Sequence, residues 1–496
     1  MKKIMIIITL LPILILAFTF RVNASYNYSP FEDAIASAEA LIAKKVIDAS
    51  NLVTQTGDLA NVSFGVLSDV FAYQNEIYIS DTSKNCVYVL DNEYRYLTTF
   101  GIDSGEGSLK SPKGLYVTED YIYVADSGNY RVAVFDHDYN FSSEILAPDD
   151  PTFKQSPSDT QGYDFKPLRI AVNSTGRVYV IADQIFEGII DFNPDGSFSR
   201  YLGANTVTLS VWEAFWLKLT SEEQRQAQGY RLATTFVNLN VDENGYIYSV
   251  SSSTENNKVI KKLNYKGTDV LIRNGYVDLS GDIITLEGNV NVPTGSSEFI
   301  DIDVNDYGSF SVLDRTRGRI FTYDFEGNLL YVGGQIGNIG GAVNNQSSLF
   351  LSPQALCYHD NKILVVDSLN KNLVVLEYTE FANLVNQATQ YYYNGDYENA
   401  KDRWEEVLVL NTNYYLAYAG IAKAQLREGN FEAAMINAKL GFDDYTYSKA
   451  YQPYRYLKLT VILPYVMGFS IAGVIFLIGK SIYKSVKVSK EDEEID

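Results

Sequence analysis

One short unit recurs along this chain, and its recurrence limits the fold more than any other feature. The clearest copy is EDYIYVADSGNYRVAVFD at 119 to 136, an alternating strand, a polar turn led by Asp126, and a second strand. In further copies EIYISDTSKNCVYVLD places Asp81 in the same slot, GRVYVIADQIFEGIIDFNPDGS Asp183, GSFSVLDRTRGRIFTYDFEGN Asp314 and NKILVVDSLNKNLVVLEY Asp367. A degenerate copy, GYIYSVSSSTENNKVIKKLNYKG, has Ser251 there, which makes six. Upstream of the inner strands lie shorter strands and turns: KSPKGLYVTEDY, KPLRIAVNSTGR, TFVNLNVDENGY, EFIDIDVNDYG and SPQALCYHDNK. Asn, Asp and Gly at these turns reverse the chain through positive φ or side-chain hydrogen bonds. Such a unit cannot bury both faces of its sheet alone, whereas a ring of them packs face to face and leaves only short edges. The expected architecture is mainly β: a six-bladed β-propeller over about 62 to 379.

The stretch PKGLYVTEDYIYVADSGNYRVAVFD resembles the NHL repeat, with its Pro-x-Gly-apolar start, YVADSGN-type turn and RV-x-VF strand. The resemblance covers 62 to 379, clearest in the second copy and faintest in the third and fourth. It implies a propeller similar in fold to gluconolactonase-like and peptidyl-amidating enzymes, most relatives of this type being interaction platforms. Asp81, Asp126, Asp183, Asp314 and Asp367 are read as turn residues that accept backbone N–H groups, because a functional residue would mark one or two blades rather than five. The competing expectation is a ring of channel carboxylates holding Ca²⁺ or another divalent cation. A gluconolactonase-like enzyme would need a Glu/Asn/Asp metal set, and neither it nor any catalytic residue can be assigned from the sequence.

Departures from the repeat are where specificity is expected. The insert APDDPTFKQSPSDTQGYDF (147 to 165) is turn-rich and acidic, and EGNVNVPTGSSE (287 to 298) suits a rim loop. TLSVWEAFWLKLTSEEQRQAQGYR (208 to 231) is helical in composition, with a capping box at Ser221 to Gln224. Trp212 and Trp216 share a helix face with Phe215 beside them, either docked on the propeller or forming a lid or sugar platform at the channel mouth. These three aromatics are the candidate ligand-binding residues.

After Glu380 the apolar period becomes helical. GDYENA at 395 to 400 and GNFEAA at 429 to 434 are 34 residues apart and resemble the tetratricopeptide repeat (TPR) over 380 to 443, with helices expected near 380 to 394, 397 to 409, 413 to 427 and 431 to 441. A juxtamembrane stalk at 444 to 459 leads to TVILPYVMGFSIAGVIFLIG, which lacks charge and is long enough to cross a bilayer, the transmembrane helix being placed at 460 to 482. Lys480, Lys484, Lys487 and Lys490 place the tail at 483 to 496 on the cytoplasmic side. At the other end, Met1-Lys2-Lys3, an apolar run and RVNAS fit a signal peptide over 1 to 24, or else an uncleaved first span. Residues 25 to 61 are expected to be helical, with Ser29 as cap and Pro30 in the first turn over 29 to 50.

Composition removes some function classes. With 40 Lys plus Arg against 61 Asp plus Glu the formal charge is −21, which repels nucleic acid. Cys86 and Cys357 are read as small buried hydrophobes, and His137 and His359 leave little material for histidine chemistry. The Lys-, Ile-, Asn- and Tyr-rich vocabulary points to a low-GC Gram-positive bacterium. The expected role is a single-pass cell-membrane protein with its ectodomain outside, binding protein partners such as ABC-type transporter subunits, or a carbohydrate or peptide. The alternative is an extracellular metal-dependent hydrolase or lactonase.

Overall fold

The computed structural model describes residues 25–102, 104–154, 162–203, 235–251, 259–282, 296–337 and 349–493, with side chains to 487. It forms two compact units, one ending at Thr389 and the other starting at Gln390.

In the first unit, six antiparallel sheets follow one another in sequence. Blade 1 comprises Leu67–Tyr73, Glu76–Asp81, Cys86–Asp91 and Tyr96–Phe100; blade 2 comprises Pro112–Val117, Ile122–Asp126, Arg131–Phe135 and Phe141–Ile145. Blade 3 runs through Pro167–Val172, Val178–Ala182, Ile189–Phe192 and Phe198–Leu202, while blade 4 has Phe236–Val241, Ile247–Ser251 and Ile260–Leu263 among the described residues. Blade 5 is Phe299–Val304, Phe310–Asp314, Arg319–Tyr323 and Leu329–Gly333. Each first strand touches the first strand of the next blade, and that of blade 6 returns to blade 1, so the ring is closed. Apolar side chains fill the wedges between blades: Ile79 and Leu90 of blade 1 share one buried cluster with Leu364 and Val366 of blade 6.

Blade 6 corrects the expectation for the N-terminal segment. Its strands Pro353–His359, Lys362–Asp367 and Asn372–Tyr378 are completed by Leu41–Asp48, which pairs antiparallel with Asn372–Tyr378. Residues 29 to 50 are therefore not a helix. Ser29 sits in a turn, its Oγ accepting from the Phe31 and Asp33 amides, and Tyr26–Tyr28 pairs with Ala34–Ala36. The Ala/Ile spacing suits a helix locally, but the open edge of Asn372–Tyr378 offers a ladder of backbone partners and buries Leu41 and Ile47.

In the second unit, the end of helix Glu380–Tyr393 is followed by helices Tyr397–Leu410, Tyr415–Glu428 and Phe431–Leu440. Asp396 and Asn430 cap the second and fourth by accepting the amides of Asn399 and Ala433. Trp404 is buried and stacks on Tyr414. Gly420 leaves room for it, since a Cβ there would stand 2.3 Å from Trp404 Nε1. The last helix, Asp444–Glu493, contains one stretch long and apolar enough to cross a membrane.

Candidate functional site

The innermost strand of each blade has a partner on one side only, so its other edge presents unpaired amides to the central channel. Five polar side chains on these strands meet that demand. Asp69 Oδ1 accepts its neighbour Val70 N–H at 3.1 Å, while Oδ2 accepts Leu115 N–H of the next blade at 2.7 Å. Asp301 repeats the pattern with Ile302 at 2.9 Å and Leu356 at 2.6 Å, and Asp303 does so with Val304 at 2.8 Å and Tyr358 at 2.6 Å. In blade 4, Asn238 and Asn240 accept Leu239 and Val241 N–H, and their amide nitrogens donate to Asp301 and Asp303.

Arg169 of blade 3 ties this layer together. Its guanidinium lies 3.1 Å from Asp69 Oδ1, donates to Ser68 O of blade 1 at 3.2 Å, and reaches Gln354 O of blade 6 at 3.5 Å. A side chain therefore spans the channel at this level. Asp69, Arg169, Asn238 and Asp301 occupy the same position in their strands, the residue just after the register shift that opens each inner strand.

Burial governs the electrostatics of this waist. It raises the Asp69 carboxyl against the opposing pull of Arg169, and holds that of Asp301 well above the usual carboxylate range. Asp303 is pushed up to about 6 by the same cause, although three N–H donors favour its charged form. Lys113, beside the waist, is lowered by burial and then by Arg169. Cys357 is also buried; desolvation first, and then Asp303, Asp69 and Asp301, hold its thiol neutral. Burial pushes Cys86 up to about 11, so neither free cysteine is a ready nucleophile. The waist can lock blades together and take up a proton near neutrality, while its carboxylates are committed to backbone amides and Arg169.

The repeated strand-end residues lie elsewhere. Asp81, Asp126, Asp314 and Asp367 are fully buried and accept turn amides, including Gly65, Lys110, Glu298 and Leu351 N–H at 2.5, 2.7, 2.8 and 2.6 Å. Asp126 also pairs with Arg131 at 2.9 Å. Asp183 differs: it is half-buried, and its backbone N–H donates to Lys166 O at 2.9 Å. Trp212, Phe215 and Trp216 fall outside the described residues, as do all of 208 to 231, most of 287 to 298 and part of 147 to 165. In blades 1, 2, 3, 5 and 6, where four strands are described, the up-and-down order nevertheless starts the first strand and ends the fourth on the face that carries the Asp-led turns. The described ends flanking the first two inserts, Ile145 and Pro167, Leu202 and Phe236, therefore lie on that face, whereas Leu263, which pairs with Ile247, ends at the opposite face from Phe299, which pairs with Asp314. Among the described residues no group of three or more His, Cys, Asp or Glu could hold a metal ion.

Sequence reasoning overlooked the waist, although a signal was present. FVNLNV and FIDIDV place Asn-x-Asn and Asp-x-Asp inside otherwise apolar inner strands, where unpaired polar groups would be costly. Arg169 had no comparable local mark.

Ring, waist and helices together define a six-bladed β-propeller followed by a C-terminal helical segment with one apolar helix. Solved structures similar to this chain include a protein of unknown function from Bacteroides thetaiotaomicron, 14% identical, with a TM-score of 0.44 over 70% of this chain and 80% of that one. A putative gluconolactonase is 11% identical, with a TM-score of 0.41 over 72% and 98% of the two chains. Virginiamycin B lyase from Staphylococcus aureus is 9% identical, with a TM-score of 0.37 over 71% and 94%. The activities in those names stay with those proteins. No protein family and no curated protein matches the chain by sequence.

Proposed function

We propose that this protein is a membrane-anchored extracellular binding scaffold, an NHL-type propeller followed by TPR-like helices, that docks protein partners beside membrane transport machinery. The observation that carries this reading is the last helix. It starts at Asp444, packs its first turns on the helix Phe431–Leu440, with Ala450 buried, and continues unbroken into the charge-free residues 460 to 479. A folded helical module is thus continuous with a segment of membrane-spanning length. The lysines after 479 favour a cytoplasmic tail, and the signal-peptide-like start favours an exported propeller. The waist supports binding rather than hydrolysis, since its polar groups are already engaged within the chain. Partners, whether a transporter subunit, a carbohydrate or a peptide, would then meet the face that carries the Asp-led turns. Crosslinking in intact membranes followed by mass spectrometry tests this. Recovery of an integral transporter subunit is expected, and recovery of no integral partner overturns the proposal.

A further inference from the structure

The direction of the last helix fixes which end of the helical unit meets the membrane, an inference that rests on the anchor reading above. Helices Tyr415–Glu428, Phe431–Leu440 and Asp444–Glu493 are joined by short turns at Gly429–Asn430 and Gly441–Asp443, so each reverses the one before it. Gly441 lies against Ala419, and Phe442 packs edge-on to Tyr415, which places the start of the third helix and the end of the fourth together. The last helix sets out from that end and travels toward the Gly429–Asn430 turn. It draws level with Phe431 after roughly ten residues, about 15 Å, near Tyr454. The charge-free run begins at Thr460, about 9 Å further on. The headgroup layer on each side of a bilayer is about 5–8 Å thick.

We infer that the end of the helical unit formed by the turns at 394–396 and 429–430 docks into the headgroup layer of the bilayer, beside the point where the apolar helix enters. Its side chains fit that partner. Tyr391 and Tyr393 at this end are 36% and 41% exposed, and Tyr451 and Tyr456 on the last helix 43% and 71%. Tyrosine favours the interface because one end of its ring is apolar and the other wet. Cations are interleaved: Lys423 lies 4.9 Å from the Tyr392 ring, Arg427 4.5 Å from Tyr397 and Lys458 5.2 Å from Tyr454. Acidic groups here are partly neutralised within the chain. Glu428 pairs with Lys401 at 2.5 Å, and Asp396 caps the helix that follows it. Balanced charge with exposed tyrosines suits a zwitterionic surface. The apolar residues Val409 and Phe442, 83% and 44% exposed, lie at the opposite end and serve as the internal control.

The test uses the full chain in phosphatidylcholine nanodiscs with a bimane label on Y393C, or on N394C as a second reporter should Y393C misfold, and on V409C as control. Cys86 and Cys357 are buried and should not react in the folded protein. Lipids carrying a headgroup nitroxide should quench the labels at 393 and 394 severalfold more than the label at 409. Equal quenching, or stronger quenching at 409, overturns the inference while the anchor stands. A chain that does not co-purify with the nanodiscs overturns both.

Discussion

Two sets of buried carboxylates stabilise this propeller in different ways. Asp81, Asp126, Asp314 and Asp367 each close a loop of one length, accepting an amide 16 residues upstream and, in three of the four, amides two or three residues downstream. Asp69, Asp301 and Asp303 instead cap amides on the next blade, 46, 55 and 55 residues away. The first set follows the repeat because its contacts lie within one unit. The second breaks the repeat because an edge amide in one blade can be satisfied by whichever neighbour reaches it.

The comparison is most exposed at Arg169. Its replacement by Met should cost about 3–5 kcal/mol, because buried Asp69 loses the partner that offsets its desolvation and the Ser68 and Gln354 carbonyls lose a donor. Urea unfolding of the propeller would measure the loss, and the double variant R169M/D69N should recover part of it. A neutral R169M would mean that water fills the waist and that the two sets are not distinct. Asp126→Ala should cost about 1–3 kcal/mol by orphaning the Lys110 amide and removing one of the partners of Arg131. Asp183→Ala, at the same slot without those contacts, should stay within about 0.5 kcal/mol. Equal losses at the two positions would show that the slot, not its hydrogen bonds, sets stability.

The smallest effect is a titration. Asp303 should show a carboxyl midpoint near 6 by site-resolved NMR. Since its folded value lies above the ordinary carboxylate value of about 4, the folded state holds the proton more tightly. Its contribution to stability is therefore greatest below about 4 and is lost as pH rises through about 6. A midpoint near 4 would show that the three N–H donors outweigh desolvation.

The blades were legible because period-two alternation and Asp-led turns are local signals, and the four helices before the apolar run were marked by the 34-residue spacing. The N-terminal segment misled. Ser29, Pro30 and the Ala/Ile spacing satisfy a helix start as well as they satisfy turns and strands, and nothing nearby reveals the open edge at Asn372–Tyr378 more than 300 residues away. The waist was half legible, in the Asn-x-Asn and Asp-x-Asp of blades 4 and 5, whereas Arg169 gave no sign that it would span the channel. No contact of Trp212, Phe215 or Trp216 enters this comparison, since they lie outside the described residues.

By itself the sequence determined the blade unit, its repetition, the change to helices after Glu380 and the apolar run beyond Lys458, because each is encoded by neighbours along the chain. Only the tertiary structure decided that Leu41–Asp48 closes the ring and that Asp69, Arg169, Asn238 and Asp301 converge in one buried layer. Both depend on which backbone edges remain unpaired once the blades have assembled, and a buried edge amide recruits its partner by distance in space, not by distance in sequence.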